Sequence, residues 1–230
     1  MFSIQKMLDD IGRKRQEQRF VSQSKDRLKE ALEQVYGAKI ERLRTIFPAH
    51  RADTVPGELP RYIEVHNLKD IGVNALLVCQ TIEVAQVPRY IMTIREGRDE
   101  TSWQHYEKGA LHTLLKHDQE LSGMNMRLLT NDVELVFHLA NAGFNPPCPW
   151  VAFYELGPFV GSMQGNAEYW YRHIWDRFWE SLSLADQIEF LERQRYENEA
   201  YMSADEWQDW VDGVRFRDAR TRNSVSSGEA

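Results

Sequence analysis

Apolar residues recur at three- and four-residue steps between Lys25 and Phe47, which is the spacing of one face of an α-helix. The series starts at Leu28, and Pro48 ends it because proline lacks the backbone donor that a helix interior needs. Residues 1–23 place a shorter apolar series ahead of a charged run. This pattern predicts a short amphipathic helix that leads into a solvated helical segment.

A loop without periodicity, residues 48–60, contains three prolines and is the best internal boundary of the chain. It separates an N-terminal helical segment over residues 1–47 from a main globular domain over residues 61–217. Beyond that domain the composition turns to Arg, Ser, Asn and Gly. Residues 218–230 are therefore predicted to form a disordered tail.

The first part of the main domain shows two short stretches of alternating residues, at about 61–66 and 89–95, and each predicts a strand. Between them, apolar residues at helical spacing predict a helix over about 70–86. The β-branched residues in 78–87 keep a strand open as an alternative there. We prefer the helix because a helix that joins two short strands makes a β-α-β unit of common size.

Two further helices are predicted in the middle of the chain. Thr101 or Ser102 is placed to cap a helix that includes His117 and continues until Ser122-Gly123. The pair Thr130–Asn131 offers caps for the next helix, and Gly143 suits the left-handed position just beyond its end. The two helices are expected to be antiparallel.

The stretch from Asn166 to Trp179 concentrates large aromatic residues in one short segment. These residues are Tyr169, Trp170, Tyr171, Trp175, Phe178 and Trp179. Each ring buries roughly 150–250 Å², so together they have more apolar area than one helix face hides. Two compatible interpretations follow: residues 166–182 form the central core helix, and one edge of its apolar arc stays exposed as a protein-binding patch.

Two more helices are predicted beyond the aromatic segment. Ser183 begins the first of them. Ser203 and Glu206 have the spacing of a capping box at the start of the second, whose apolar face includes Trp207 and Trp210. The fold class predicted from these patterns is an α-rich α+β fold with about seven helices, a small two- or three-strand element, and the aromatic helix at the core.

The composition narrows the classes of function. The formal net charge of −7 and the pI of about 5.6 argue against a protein that neutralises phosphates with its whole surface. The sequence shows neither an apolar run long enough for a membrane span nor the layout of a secretory signal, so we expect a cytoplasmic protein without a membrane partner. Cys79 and Cys148 are far apart and are interpreted as two buried free thiols.

The histidines form no ligand spacing typical of a metal site. His105 and His112 are seven residues apart and share a helix face, but His117 points away from them on the predicted helix, and no H-E-x-x-H is present. We therefore expect neither a metal nor a cofactor, and no catalytic residue is assigned. The glycine-spaced loop 157–165 lacks the ending of a phosphate-binding loop.

These patterns favour a soluble, non-enzymatic, bacterial-type interaction protein, such as an inhibitor, an immunity factor or an adaptor, that binds a protein partner through an aromatic surface. The predicted partner-binding residues are Trp150, Trp170, Tyr171, Trp175 and Trp179.

Two alternatives stay open. The first is a nucleic-acid-associated regulator that uses the basic N-terminal segment, although carboxylates interrupt that segment. Its basic residues are Arg13, Lys14, Arg15 and Arg19. The second is an enzyme with a pocket near Ser162, Gln164 and His173.

Overall fold

The computed structural model describes residues 22–48, 59–60, 62–159 and 163–221. These residues form a six-stranded antiparallel sheet with helices packed against it, and the order of its strands is β1-β2-β6-β5-β4-β3. The strands are β1 (Glu64–Asn67), β2 (Leu76–Glu83), β3 (Asp99–Ser102), β4 (His105–Lys108), β5 (Leu111–Glu120) and β6 (Gly123–Thr130).

Tight turns join the four strands from β3 to β6 into consecutive hairpins. Leu121 and Ser122, between β5 and β6, both have positive φ, as a two-residue hairpin turn requires. Gly109, between β4 and β5, has a φ of 61° that costs glycine little. The long strand β2 then pairs with β6 along its whole length, so residues far apart in sequence form the middle of the sheet.

The helices are α1 (22–36), α2 (Ile40–Ile46), α3 (Val87–Arg95), α4 (Val133–Asn141), α5 (Pro149–Ala152), α6 (Gly165–Trp170), α7 (Asp176–Ser181), α8 (Leu184–Asn198) and α9 (Ala204–Arg217). A π-helical turn (Tyr171–Trp175) joins α6 to α7, so that residues 165–181 form one continuous helix. None of the helices within the described ranges is long and apolar enough to cross a membrane.

Three apolar clusters form the core. The first packs α3 and α4 on one face of the sheet, where Leu128 is fully buried. The second packs α1 and α2 against the other face, and it includes the next residue of β6, Leu129. Successive strand residues point to opposite faces, so this pair shows that helices cover both faces of β6. The third cluster is aromatic and belongs to the C-terminal helices.

The predicted fold class was wrong, because the described residues contain a six-stranded sheet and nine helices rather than a small strand element with about seven helices. The predicted helix over 70–86 is mostly β2, in which every second residue is buried. The predicted strand over 89–95 is α3, in which the buried Tyr90 and Ile94 are one helical turn apart. The β-α-β unit is therefore absent from this part of the chain, since β1 and β2 are adjacent and antiparallel.

The helix predicted to follow Thr101 or Ser102 was also wrong, because that stretch forms the end of β3 and the whole of β4 and β5. The helix predicted after it is α4, but its cap is Asp132, whose carboxylate accepts from the backbone N–H of Leu135. Gly143 has the expected positive φ, and β1 overlaps the strand predicted at about 61–66.

Both predicted C-terminal helix starts are confirmed. Ser183 and Ser203 each cap a helix through a complete capping box. The helix predicted over residues 25–47 is divided at Gly37, whose φ is 63°, into α1 and α2.

The ends of the chain and the predicted boundary loop lie largely outside the described residues. Residues 1–21, 49–58 and 222–230 are not described. At the start of the predicted tail, Asp218 is buried and accepts a hydrogen bond from Gln187 at 2.9 Å.

Candidate functional site

The five aromatic residues predicted to bind a partner lie in the core. Trp150, Trp170, Tyr171, Trp175 and Trp179 are each no more than 3% exposed. The planes of Trp170, Trp175 and Trp179 are nearly parallel, and the successive ring centroids are about 6 Å apart. A partner reaches these rings only if the helical cluster opens.

A surface of exposed apolar side chains adjoins this cluster. Four of them lie within nine consecutive residues, and each is between 47% and 62% exposed. We call this surface the apolar ridge, and it consists of Val151, Tyr154, Leu156 and Phe159. Large exposed apolar residues that occur together, rather than singly, are typical of sites that bind other proteins.

The apolar ridge is fixed to the core at its beginning. Pro149 begins α5, where its missing N–H leaves no bond unmade. The next residue, Trp150, is buried, and its ring lies edge-on against Trp207 of α9 with 4.9 Å between centroids. Val151 is held at the surface because its neighbour Trp150 is anchored below.

Two contacts with α9 fix the rest of the apolar ridge. The hydroxyl of Tyr154 donates to Oε1 of Glu206 at 2.5 Å, and this bond raises the pKa of Tyr154. Pro158 approaches α9 so closely that a Cβ at Gly213 would lie 2.4 Å from the Pro158 carbonyl oxygen. Glycine is required there by close approach rather than by backbone conformation.

A polar cavity of about 190 Å³ lies beside the π-helical turn. Its lining comprises Tyr62, Glu64, Cys79, Gln80, Thr81, Glu120, Asn125, Tyr169, His173 and Ile174. π-Helical turns are rare and occur frequently at functional sites. Of the three residues in the predicted pocket, the structure brings only His173 to this cavity, since Gln164 is not in the lining and Ser162 lies outside the described residues.

The contacts of His173 define what its ring can do. The Arg177 guanidinium lies 3.3 Å from Nδ1 of His173 and also donates to Glu64 at 2.8 Å. Because a guanidinium only donates, Nδ1 accepts, and the proton of the neutral ring is on Nε2. His173 is therefore arranged as a hydrogen-bond donor rather than as a general base. Burial raises the pKa of Cys79, in the same cavity, to about 11, so its thiol is a poor nucleophile.

A second group of polar side chains lies on the hairpin of β4 and β5. Glu107 faces His112 directly across the two strands, and His105 precedes Glu107 by two residues, which places all three on one face. Nε2 of His105 is 3.3 Å from Nδ1 of His112 and 3.3 Å from Oε1 of Glu107. Nδ1 of His112 is 3.5 Å from the same oxygen. We call these three residues the His-Glu-His cluster.

Neighbouring residues hold the His-Glu-His cluster in place. The buried ring of Phe47 lies edge-on to the ring of His112, with 6.2 Å between centroids. Thr101 donates from its hydroxyl to Oε1 of Glu107 at 3.0 Å. Burial lowers the pKa of His105, although Glu107 opposes the effect.

The side chain of Asn131 fixes the backbone of this hairpin. Its amide accepts from the N–H of His112 at 2.7 Å and donates to the carbonyl of Ala110 at 3.1 Å. Asn131 is almost fully buried, so these bonds are shielded from water.

Sequence reasoning missed this cluster because it placed His105 and His112 on one helix, where seven residues separate them by two turns. In strands the relevant signals are different. His105 and Glu107 are two residues apart, so on a strand their side chains point to the same face. Gly109 permits the turn that brings His112 back beside them.

The basic residues of the nucleic-acid alternative are not placed by the structure. Arg13, Lys14, Arg15 and Arg19 all lie outside the described residues. Comparisons of the chain with known protein families, with curated proteins and with solved structures find no match.

Proposed function

We propose that the protein acts by binding a partner protein, as an inhibitor, immunity factor or adaptor does, and that the apolar ridge is its contact surface. The observation that supports this proposal is the exposure of four large apolar side chains on a segment fixed to the core. A surface fixed before binding loses little conformational entropy when the partner arrives. Tyr154 and Phe159 supply aromatic anchors of the kind that dominate binding energies.

The charge beside the apolar ridge indicates the chemistry of the partner. Asp205, Asp209 and Asp212 are exposed on α9, the helix to which the ridge is fixed. They follow each other at steps of four and three residues, so they lie on one side of the helix. Apolar centres with charged rims are typical of protein interfaces. We therefore infer a partner with an apolar contact and a basic rim.

The test changes two side chains of the apolar ridge and leaves in place the residues that fix the ridge to the core. The double variant Leu156→Glu/Phe159→Glu is compared with Leu184→Glu/Ile188→Glu, which adds the same charges at two exposed apolar positions of α8. Affinity capture from native lysate, with mass spectrometry, measures which proteins each variant retains. Circular dichroism checks that both variants are folded.

We expect the wild type and the α8 variant to retain the same protein, and the ridge variant to lose it. Equal retention by both variants, or equal loss, would contradict the proposal. Sedimentation of the purified wild type is measured first. A dimer that only the ridge variant disrupts identifies the partner as a second copy of this chain.

A second candidate function is the binding of a small polar ligand in the cavity beside the π-helical turn. The cavity, of about 190 Å³, is smaller than the roughly 300–1,000 Å³ of sites for drug-sized ligands. His173 donates from Nε2 in the arrangement described above, and Asn125 adds a side-chain amide to the lining. Native mass spectrometry of the wild type and of His173→Leu tests this function, because a retained small molecule that the variant loses supports it.

A further inference from the structure

We propose that the His-Glu-His cluster binds a divalent transition-metal ion, with Zn²⁺ as the best fit. The proposed ligand atoms are Nε2 of His105, Oε1 of Glu107 and Nδ1 of His112. This site is independent of the apolar ridge, so it goes beyond the proposed partner binding.

The distances between the three atoms agree with tetrahedral coordination. Zn²⁺ binds nitrogen and carboxylate oxygen at about 2.0–2.2 Å, and tetrahedral geometry then separates two ligand atoms by about 3.3–3.6 Å. The three separations in the cluster are 3.3, 3.3 and 3.5 Å. Octahedral ligands of Mg²⁺, at about 2.0–2.1 Å, would lie closer together, at about 3 Å. One ion therefore fits at about the same distance from all three atoms.

The chemistry of the donors favours the same class of ion. Imidazole suits Zn²⁺ and its transition-metal neighbours, whereas Mg²⁺ and Ca²⁺ prefer sites made of oxygen. Glu107 contributes the negative charge that partly offsets the charge of the ion. A single cation accepts a lone pair from each of the three ligand atoms at once. A proton shared between two of these atoms leaves the third without a partner.

The surroundings orient the ligands before an ion arrives. Phe47 packs against the ring of His112, Thr101 donates to the ligating oxygen of Glu107, and Asn131 fixes the backbone of the turn and of His112 itself. Outer partners of this kind hold ligands in position and raise metal affinity. Three protein ligands leave the fourth tetrahedral position open to water or to another donor, as in catalytic rather than structural zinc sites.

The test is a titration of the full-length, tag-free, metal-free protein with Zn²⁺ against a chromophoric chelator. We expect a single ion per chain. Glu107→Gln and His105→Gln should each weaken binding by more than about 100-fold, because even the loss of an outer partner costs about 10–100-fold. Thr101→Val should weaken binding by about 10-fold or more for the same reason.

The matched control is His117→Gln. His117 lies on the same strand as His112 but five residues on, so its side chain points to the opposite face of the sheet. This variant should bind Zn²⁺ like the wild type. Equal weakening by His117→Gln and His105→Gln, or failure of the wild type to bind stoichiometrically, would overturn the proposal and leave a cluster of hydrogen bonds only.

A second measurement separates binding from folding. Zn²⁺ should raise the thermal midpoint of the wild type and of His117→Gln, because an ion that binds only the folded state stabilises it. It should not raise the midpoint of Glu107→Gln, which keeps the size of the side chain and should fold without metal. Bound Co²⁺ gives an intense visible spectrum in four-coordinate sites and a weak one in six-coordinate sites. A weak spectrum from the wild type would contradict the tetrahedral geometry.

Discussion

Trp175 is the side chain whose removal tests the aromatic cluster most directly. It is fully buried, and aromatic rings surround it on several sides. Trp170 and Trp179 lie nearly parallel to it at 6.1 and 5.8 Å, and Trp150 and Phe190 lie within 6.2 Å, all measured between ring centroids. No one of these neighbours can fill the space of an indole without breaking its other contacts. Trp175→Ala should therefore leave a cavity.

The expected loss follows from the buried area. Roughly 150–250 Å² of aromatic surface, at about 25 cal/mol per Å², corresponds to about 4–6 kcal/mol. The alanine keeps a small part of this area, whereas the cavity adds a further cost. We expect Trp175→Ala to lower the free energy of unfolding by about 4–5 kcal/mol, near the top of the usual range for aromatic truncation.

Denaturant unfolding followed by far-ultraviolet circular dichroism measures this loss without relying on tryptophan fluorescence. The matched control is Trp103→Ala, because Trp103 is 81% exposed at the turn between β3 and β4. The control should change the free energy of unfolding by less than about 0.5 kcal/mol. A loss below about 1 kcal/mol for Trp175→Ala would show that this ring is not a core residue.

Three further changes test other parts of the fold. Gly213→Ala places a methyl group against the Pro158 carbonyl, so it should lower the free energy of unfolding by about 1–3 kcal/mol in denaturant titrations. Asp132→Ala leaves the guanidinium of Arg98 buried without its partner at 2.5 Å and also removes the cap of α4, and should cost about 3–5 kcal/mol in the same assay. Burial raises the pKa of Glu83 from 4.5 to about 7, so the stability that its neutral carboxyl contributes is present below pH 4.5 and is lost as the pH rises through about 7. Glu83→Gln should therefore be more stable than the wild type at about pH 8, by about 1–2 kcal/mol once partial exposure is allowed for.

Each of these changes has an outcome that refutes its reasoning. An unchanged Gly213→Ala would mean that the Pro158 segment moves freely away from α9. A loss of less than about 1 kcal/mol for Asp132→Ala would place this pair among exposed ion pairs, whose contribution is of that size. Parallel pH profiles of Glu83→Gln and the wild type would show that Glu83 ionises normally.

The sequence was most informative where local chemistry decides the structure. Ser183 and Ser203 begin helices because their side chains satisfy backbone donors that the helix itself leaves open. The neighbours that matter are within three residues, so the sequence alone contains the signal. The pairing of β2 with β6 depends instead on partners that are far apart in sequence, from Glu83 with Gly123 to Leu76 with Thr130, and the sequence offers no local trace of that pairing.

The strand β2 shows why the spacing of a strand was mistaken for the spacing of a helix. Val78 and Ile82 are four residues apart, which fits one face of a helix and also alternate positions of a strand. Gln80, between them, is also buried. Because it is polar, the buried positions of the strand do not appear in the sequence as an alternation of apolar and polar residues. The β-branched content was the better guide to this segment.

The candidate sites were predictable only in part. The aromatic cluster was visible in the sequence, but exposure of a given ring depends on what packs over it, so Tyr154 and Phe159 could not be separated from Trp150 beforehand. The histidine pair was noticed, and its geometry was misjudged because a helix was assumed. Recognising the glycine turn between two strands would have placed His105 and His112 side by side.

The edges of the sheet have a consequence for behaviour at high concentration. A strand with one unpaired side is a template on which another chain can add by backbone hydrogen bonding. At one edge, β3 bears Asp99 and Glu100, all four of its residues are exposed, and its register shifts before Ser102. Negative charge and an irregular backbone both hinder a strand of another copy from pairing with this edge strand. Intermolecular sheet growth from this edge should accordingly be slow, even at high protein concentration.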